Sequence, residues 1–401
     1  MSKASAAPRL RPTAAPGVAA AGLAALVDRR GSGFAAFEEA AAALLGTRHA
    51  VVVGSARAGM AAILAHAGCR PGDEVIVPAL TAPCVPGFLR ASGYRVRVAT
   101  ICPRRHVVTG DSVAAALGPQ TRAVMPTHVE GVTAPMAEIT AALPPRVVVV
   151  EDAAHAFGAQ VDGRPVGARA AGAVHSFGKG KHVNTVFGGL VVTDDVGVAR
   201  AARATRDALP PPTRLRVLAS VLIELGVAAA THPRLYPLVL HPLIRVCNRF
   251  GVDLPTLLFE DDGKNGAAAV ARRPPEAWAG LALAQLGGFS AERERRRVLA
   301  GALRSALRER GLDHQHANDP GDHPLFVTLL HPRRDALRRA LLAEGQDTQP
   351  TWMRSITGDD GGRDAAADKV EGQGLYLPIH RGARADPLLA SLDRALRQVP
   401  G

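Results

Sequence analysis

Lys181 stands in the run Ser176-Phe177-Gly178-Lys179-Gly180-Lys181, shortly before the pair Gly188-Gly189. Upstream, Val147-Val148-Val149-Val150 leads into Glu151-Asp152-Ala153-Ala154-His155. The apolar run reads as a buried strand that delivers Asp152 at its C-terminal end. A carboxylate at a strand end and an amine on a glycine-rich turn suit an aldehyde cofactor that is held covalently. The amine condenses with the aldehyde, and the carboxylate pairs with a protonated ring nitrogen so that the ring can accept electrons. Pyridoxal 5'-phosphate (PLP) makes these demands. Lys179 competes with Lys181 for the aldehyde, and spacing alone does not choose between them.

The phosphate of such a cofactor needs its own seat. Gly54-Ser55-Ala56-Arg57 follows a strand and opens a helix, where backbone N–H groups and the helix dipole favour an anion. Arg57 adds a cation if it points inward, and the Ser176 hydroxyl is a further donor. His155, three residues after Asp152, can reach the ring hydroxyl or the aldehyde side. Taken singly, each has an ordinary reading: Asp152 as a turn or helix cap, Lys181 as a solvated amine, His155 as a structural histidine. Their combination and spacing point to one site.

The surrounding pattern supplies a scaffold. From Gly17 to about Arg206, short strands (His49–Val53, Glu74–Val77, Arg95–Ala99, Ala123–Pro126, Val147–Glu151, Ala173–Ser176, Gly189–Thr193) alternate with helical segments such as Phe34–Leu45 and Ala58–Ala67. The expected fold class is α/β, with a mostly parallel, seven-stranded sheet covered by helices. Ligands on such a sheet bind beyond the carboxyl ends of the strands, where Ser55, Asp152 and the Ser176–Lys181 turn all fall.

Pro210 to Asp262 breaks the alternation. Pro210-Pro211-Pro212 opens it, and the apolar stretches Val217–Ala230 and Leu235–Val246 follow. Neither reaches the ~18 to 20 apolar residues of a membrane crossing. A helical insertion packed on the body or on a second subunit is one reading. A peripheral membrane contact is another, because Arg214, Arg216, Arg234 and Arg245 flank the apolar runs. After it, a smaller α+β region is expected: a largely helical stretch over Pro275–Arg310, strand Leu325–Leu330, helix Arg333–Glu344, strand Gly374–Ile379 and helix Asp386–Gln398. The expected divisions are a disordered tail 1–16, a PLP-binding large domain 17–209, the insertion 210–265 and a C-terminal small domain 266–401.

Apolar residues form 47% of the 401 and aromatics only 4%, so Ala, Val and Leu must fill the core. The formal net charge of +12 raises the question of a polyanionic partner. The arginines are scattered along helices such as Ala291–Arg310 without interleaved aromatics, so no nucleic acid is expected and attraction of a phosphorylated substrate suffices. Cys69, Cys84, Cys102 and Cys247 are far apart with no CxxC pair. This fits a reducing cytoplasm, and no metal site is expected. The first residues lack the apolar core of a signal peptide.

These residues resemble the DegT/DnrJ/StrS sugar aminotransferases, PLP enzymes of fold type I. The matching stretches are Gly46-Thr47-Arg48-His49-Ala50-Val51, Pro71 to Pro78, His128-Val129-Glu130-Gly131, Glu151 to Ala159, and Ser176-Phe177 with Lys181 and Gly188-Gly189. Weaker matches are Leu281–Leu286, Glu292–Arg297 and Leu377-Pro378. The resemblance selects Lys181 over Lys179, because the family places three variable residues between Ser-Phe and its lysine. It makes Asp152 the pyridine acid, puts His155 near the ring hydroxyl, and places Ser55, Ala56 and Ser176 at the phosphate. It implies a homodimer with the site near the subunit interface, and transfer of an amino group, usually from glutamate, to a keto-sugar that is commonly nucleotide-linked.

Four departures stand out. The family's stacking aromatic is Ala82 here. The Gly-Glu or Gly-Asp before the glycine pair is Val186-Phe187. A partner-donated Asn falls on Ala271, with only Arg273 kept from that motif. The insertion is longer than the usual connection. Two alternatives follow: a PLP-dependent sugar dehydratase, and a non-catalytic member with an interaction or membrane-associated role. Some sugar dehydratases of the family carry His in place of the lysine, so Lys181 favours transfer.

Overall fold

The computed structural model describes residues 6–11, 17, 20, 33–259, 272–317 and 319–400. Its main sheet has seven strands: β1 (His49–Val53), β2 (Glu74–Pro78), β3 (Arg95–Ala99), β4 (Thr121–Val124), β5 (Val148–Asp152), β6 (Gly172–Ser176) and β7 (Gly189–Thr193). They lie in the order β1-β7-β6-β5-β4-β2-β3. The neighbours from β6 to β3 pair in parallel, whereas β7 is antiparallel to both β1 and β6. The α/β class and mostly parallel sheet read from the sequence are those observed.

Period-two alternation explains why the sheet is covered on both sides. Ala50 and Val52 join one core cluster with Ile76, while Val51 and Val53 join another with Val75 and Val77. Successive side chains point to opposite faces, and each face meets helices. These are α1 (Gly33–Leu45), α2 (Ala56–His66), α3 (Cys84–Ala91), α4 (Gly110–Ala116), α5 (Met136–Ala141) and α6 (Val196–Asp207). The last four were not anticipated individually; three of them are short, and their apolar residues are few.

The segment after Pro210 is helical, as expected: α7 (Arg214–Ala230), a short π turn Tyr236–Leu240, α8 (His241–Arg249) and α9 (Leu254–Phe259). Val217 and Val221 of α7 bury against Trp278 and Leu281, with Val186 and Phe187 alongside. The stretch Pro275–Arg310 is largely helical, as expected, and consists of two helices, α10 (Ala277–Leu286) and α11 (Phe289–Glu309). Gly287-Gly288 separates them, two residues with poor helix propensity in succession. Beyond them, β8 (Phe326–Leu330), β9 (Gln349–Pro350) and β10 (Gly374–Pro378) form a second sheet in the order β8-β10-β9. The helices α12 (Arg334–Ala343), α13 (Ala365–Gln373) and α14 (Ala385–Gln398) accompany it.

Part of the tail expected to be disordered is held in place. Ala7 bridges to Gln346 in parallel. The Arg9 guanidinium, only 4% exposed, meets Asp347 at 2.8 Å and Asp253 at 2.9 Å. Both carboxylates lie far along the chain, so the sequence pattern around Arg9 carried no sign of them. Residues 12–16 of that tail lie outside the described residues.

Two positions in the loop between β6 and β7 decide how closely the chain approaches itself. A Cβ on Gly189 would fall 2.6 Å from the Ala56 nitrogen and 2.7 Å from the His175 oxygen, both backbone atoms that cannot swing aside. Val186 is in the left-handed region at φ 72°, which costs a branched side chain roughly 1–2 kcal/mol. Its contact with the α7 cluster offsets that strain. Normally Gly→Ala stabilises a chain, yet at residue 186 the order should reverse. Val186→Ala keeps most of the strain and loses the packing, so we expect it to be less stable than Val186→Gly by about 1 kcal/mol. Equilibrium urea denaturation of both variants measures the difference, and an alanine variant at least as stable as the glycine variant contradicts it.

Candidate active site

Asp152 is the last residue of β5 and is buried. Its carboxylate accepts the Ala154 N–H at 3.1 Å and the Thr127 hydroxyl. Thr127 is steadied in turn by Thr81, 3.3 Å away. Burial pushes the Asp152 carboxyl above its usual range, opposed by the Ala154 bond and by the charges of Lys181 and His128. The adjacent strand β6 sets Val174 beside Asp152 and ends at Ser176. The loop that follows carries Lys181 back over the strand ends. Lys181 is partly buried, and its amine lies 5.2 Å from the centre of the Trp352 ring. Desolvation brings its pKa down to about 8, with the Asp152 carboxylate working in the opposite direction.

His155 completes the group. It is buried, and its Nδ1 accepts the Glu130 backbone N–H at 3.3 Å. An accepting Nδ1 leaves the ring proton on Nε2. Burial, and after it the Lys181 charge, hold this histidine well below its ordinary pKa, so it is a neutral donor. Its ring meets Trp352 edge-on at 5.9 Å. Asp152, His155 and Lys181, separate in the chain, thus lie within electrostatic reach of one another.

The two candidate lysines part company here. Lys179 bears electrostatically on Glu224 of α7, whereas Lys181 is coupled to Asp152 and Cys84. Glu224 is buried and accepts the Asn184 amide at 3.0 Å.

The candidate phosphate cradle also assembles. Gly189 pairs with Ser176 and with Val53, and the space a side chain would take there is filled by Ser55 and Ala56. Ser55 caps α2, its hydroxyl accepting the Ala58 N–H at 3.2 Å. The Ser176 hydroxyl accepts the Gly178 N–H at 3.4 Å. The Nη1 of Arg57 is buried with no partner among the described residues. A buried carboxylate, a desolvated amine, a neutral histidine and an unpartnered guanidinium atom beside a helix N-terminus make a donor and acceptor set that fits PLP.

Sequence reasoning missed several residues. A pocket of about 10 Å³, room for roughly one water, is lined by Leu10, Arg11, Gly180, Lys181, Asn184, Arg296, Leu325, Phe326 and His380. Trp352 packs with Leu10 and Phe326 beside it. Leu10 and Arg11 come from the segment expected to be disordered, and Trp352 is a solitary aromatic between turns. Neither carries a local signal; only the tertiary fold brings them to Lys181. Ala82, where the family has an aromatic, is partly buried against the core. Ala271 lies outside the described residues, and Arg273 binds Glu276 at 2.6 Å. Among the described residues no group of three or more His, Cys, Asp or Glu is placed to hold a metal ion, and no helix is long and apolar enough to cross a membrane.

Comparison with known proteins agrees with this geometry. Residues 19–211 match the model of the DegT/DnrJ/EryC1/StrS aminotransferase family. Among solved structures, S. venezuelae DesV in complex with a ketimine intermediate is similar at 25% identity and a TM-score of 0.73, with 98% of each chain covered. DesI in the presence of its TDP-sugar product has 26% identity and a TM-score of 0.70, covering 98% of this chain and 92% of that one. E. coli GDP-4-keto-6-deoxy-D-mannose-3-dehydratase with bound hydrated PLP shares the fold at 18% identity and a TM-score of 0.71, over 96% and 98% of the two chains.

The Lys181 environment sets a pH dependence. Only the unprotonated amine attacks an aldehyde, so the rate at which cofactor-free protein captures PLP should rise with pH and level off above about 8. An ordinary lysine would still be gaining near 10. The Asp152 carboxylate holds the proton on the amine, so Asp152→Asn should move the midpoint down. Stopped-flow absorbance across pH measures both. A midpoint near 10, or an upward move in the variant, contradicts the assignment. Lys181→Ala should abolish the long-wavelength absorbance of the linked cofactor, whereas Lys179→Ala should retain it.

Proposed function

We propose that this chain, a PLP-dependent aminotransferase of the DegT/DnrJ/EryC1/StrS family, moves an amino group from glutamate to a keto-sugar, nucleotide-linked, in the assembly of a glycan or secondary metabolite. The observation that carries this reading is the electrostatic coupling of two desolvated groups, the Asp152 carboxylate and the Lys181 amine. When bound, PLP supplies an electron sink that makes a carbanion at the amino carbon accessible.

The chain's own residues do the rest. Asp152 keeps a proton on the ring nitrogen, and burial confines its charge to that one partner. Lys181 would hold the cofactor, and its amine would act as the base that moves a proton at the amino carbon. A pKa near 8 suits that exchange at neutral pH. His155 donates from Nε2 toward the ring hydroxyl. Ser55, Ala56, Arg57 and Ser176 hold the phosphate. In this reading residues 17–209 form the PLP-binding domain, 266–401 the small domain, and two copies associate with the site near their interface.

The likeness to DesI, whose structure holds a TDP-sugar product, supports a nucleotide-linked acceptor. The dehydratase alternative rests on fold likeness at 18% identity, and Lys181 weighs against it. The test is incubation of PLP-loaded protein with glutamate. Formation of 2-oxoglutarate, one per site in the absence of acceptor and catalytically with a TDP- or GDP-keto-sugar, is expected. Lys181→Ala should slow turnover by roughly 10²–10⁴-fold. Loss of the sugar hydroxyl without nitrogen incorporation would instead establish the dehydratase, and no cofactor binding by a folded protein would establish the non-catalytic reading.

A further inference from the structure

Helix α7 is apolar on two opposite sides. Val217, Val221 and Glu224 face the body and are buried. Leu215, Leu218 and Leu222, at helical spacing on the other side, are 78%, 41% and 60% exposed. A globular protein normally gives that side of a surface helix to polar residues. The pattern repeats in α8, where Ile244 is buried while Leu243, Val246 and the following Phe250 are exposed at i, i+3 and i+7. Leu238 and Val239 in the π turn between them are exposed too. Of the fifteen large apolar residues exposed among those described, eleven fall between residues 215 and 252.

The charges in the same stretch have one sign. Arg214, Arg216, Arg234, Arg245 and Arg249 are all exposed, and the sole acid from 214 to 252, Glu224, is buried. A second copy laid on this face about a twofold axis would bring two such arginine sets together with no carboxylate between them, which opposes self-association. An anionic lipid surface matches both properties. Its headgroups take the guanidinium groups, and its acyl boundary takes the leucines and Phe250. No helix among the described residues is long and apolar enough to span a bilayer, so the contact lies in the interfacial plane.

We propose that residues 214–252 dock the protein on an anionic membrane surface. The α7 helix also abuts the Lys181 loop through Val186, Phe187 and the Asn184–Glu224 bond, so docking holds the site beside the lipid headgroups. The test is co-sedimentation of the full chain with vesicles of phosphatidylcholine alone and of phosphatidylcholine mixed with phosphatidylglycerol. The wild-type protein should pellet with the mixed vesicles only, and lose binding at high salt. Leu218→Ser/Leu222→Ser/Phe250→Ser should lower the vesicle partition coefficient at least about tenfold. Each of Arg214→Ala, Arg245→Ala and Arg249→Ala should weaken it about fivefold. These residues are exposed, and unchanged circular dichroism confirms that the variants fold. Failure to pellet with either vesicle overturns the proposal. So does light scattering that shows an assembly broken by the apolar triple variant, which would assign the face to a second copy. Sedimentation is read without turnover, so its result is separate from that of the aminotransferase reading.

Discussion

Removing an amine and a carboxylate from water within electrostatic reach of each other is the constraint on which this site depends. Desolvation is the largest influence on both Asp152 and Lys181, raising one pKa and lowering the other, and the attraction between them works against it in each. A lone buried charge would be far more costly. The sheet makes the pairing possible: β5 and β6 run parallel and side by side, so one strand ends in the acid and the next turns back to deliver the base. The same dry surroundings keep His155 neutral, and the Glu130 N–H fixes its tautomer.

Support for this arrangement reaches across the molecule. Glu130 sits in the left-handed region at φ 58°, and its N–H orients His155. Its own carboxyl, pushed up to about 7 by burial, accepts the Thr328 hydroxyl of β8. Tyr376 and Thr351, 2.9 Å apart, lie next in that polar chain, and Thr351 immediately precedes Trp352. Hydrogen bonds therefore run from His155 through Glu130 to the second sheet. Hydrogen-bond networks of this kind hold a side chain in place, so His155 takes its position in part from residues in the other sheet.

Much of this was legible before any fold was known, and for a physical reason. Asp152, His155 and Lys181 lie at the ends of apolar runs, where a strand must stop and ligands gather. The short strands were readable because Val and Ile cluster between turn residues. What escaped notice depends on distance along the chain. Trp352 and Arg296 reach Lys181 only through tertiary packing. Arg9 finds its acids at residues 253 and 347, and a proline-rich beginning reads as a tail when those partners are out of view. Gly287-Gly288 was overlooked because helical periodicity continues on both sides of it. The Ser55 hydroxyl accepts the Ala58 N–H as a helix cap, which leaves its own proton free to donate to an anion.

The Arg9 clasp also imposes an order of events. Leu10 and Arg11 lie beside Lys181, and the neighbouring Arg9 is fastened to Asp347, 338 residues later. During translation Arg9 is made roughly 20–70 seconds before Asp347 at ordinary elongation rates. Until then the Arg9–Asp347 clasp is open, and the His380 partner of Pro8 is still to come. The nascent protein thus passes through a period in which the lysine is accessible from a side that the finished molecule covers.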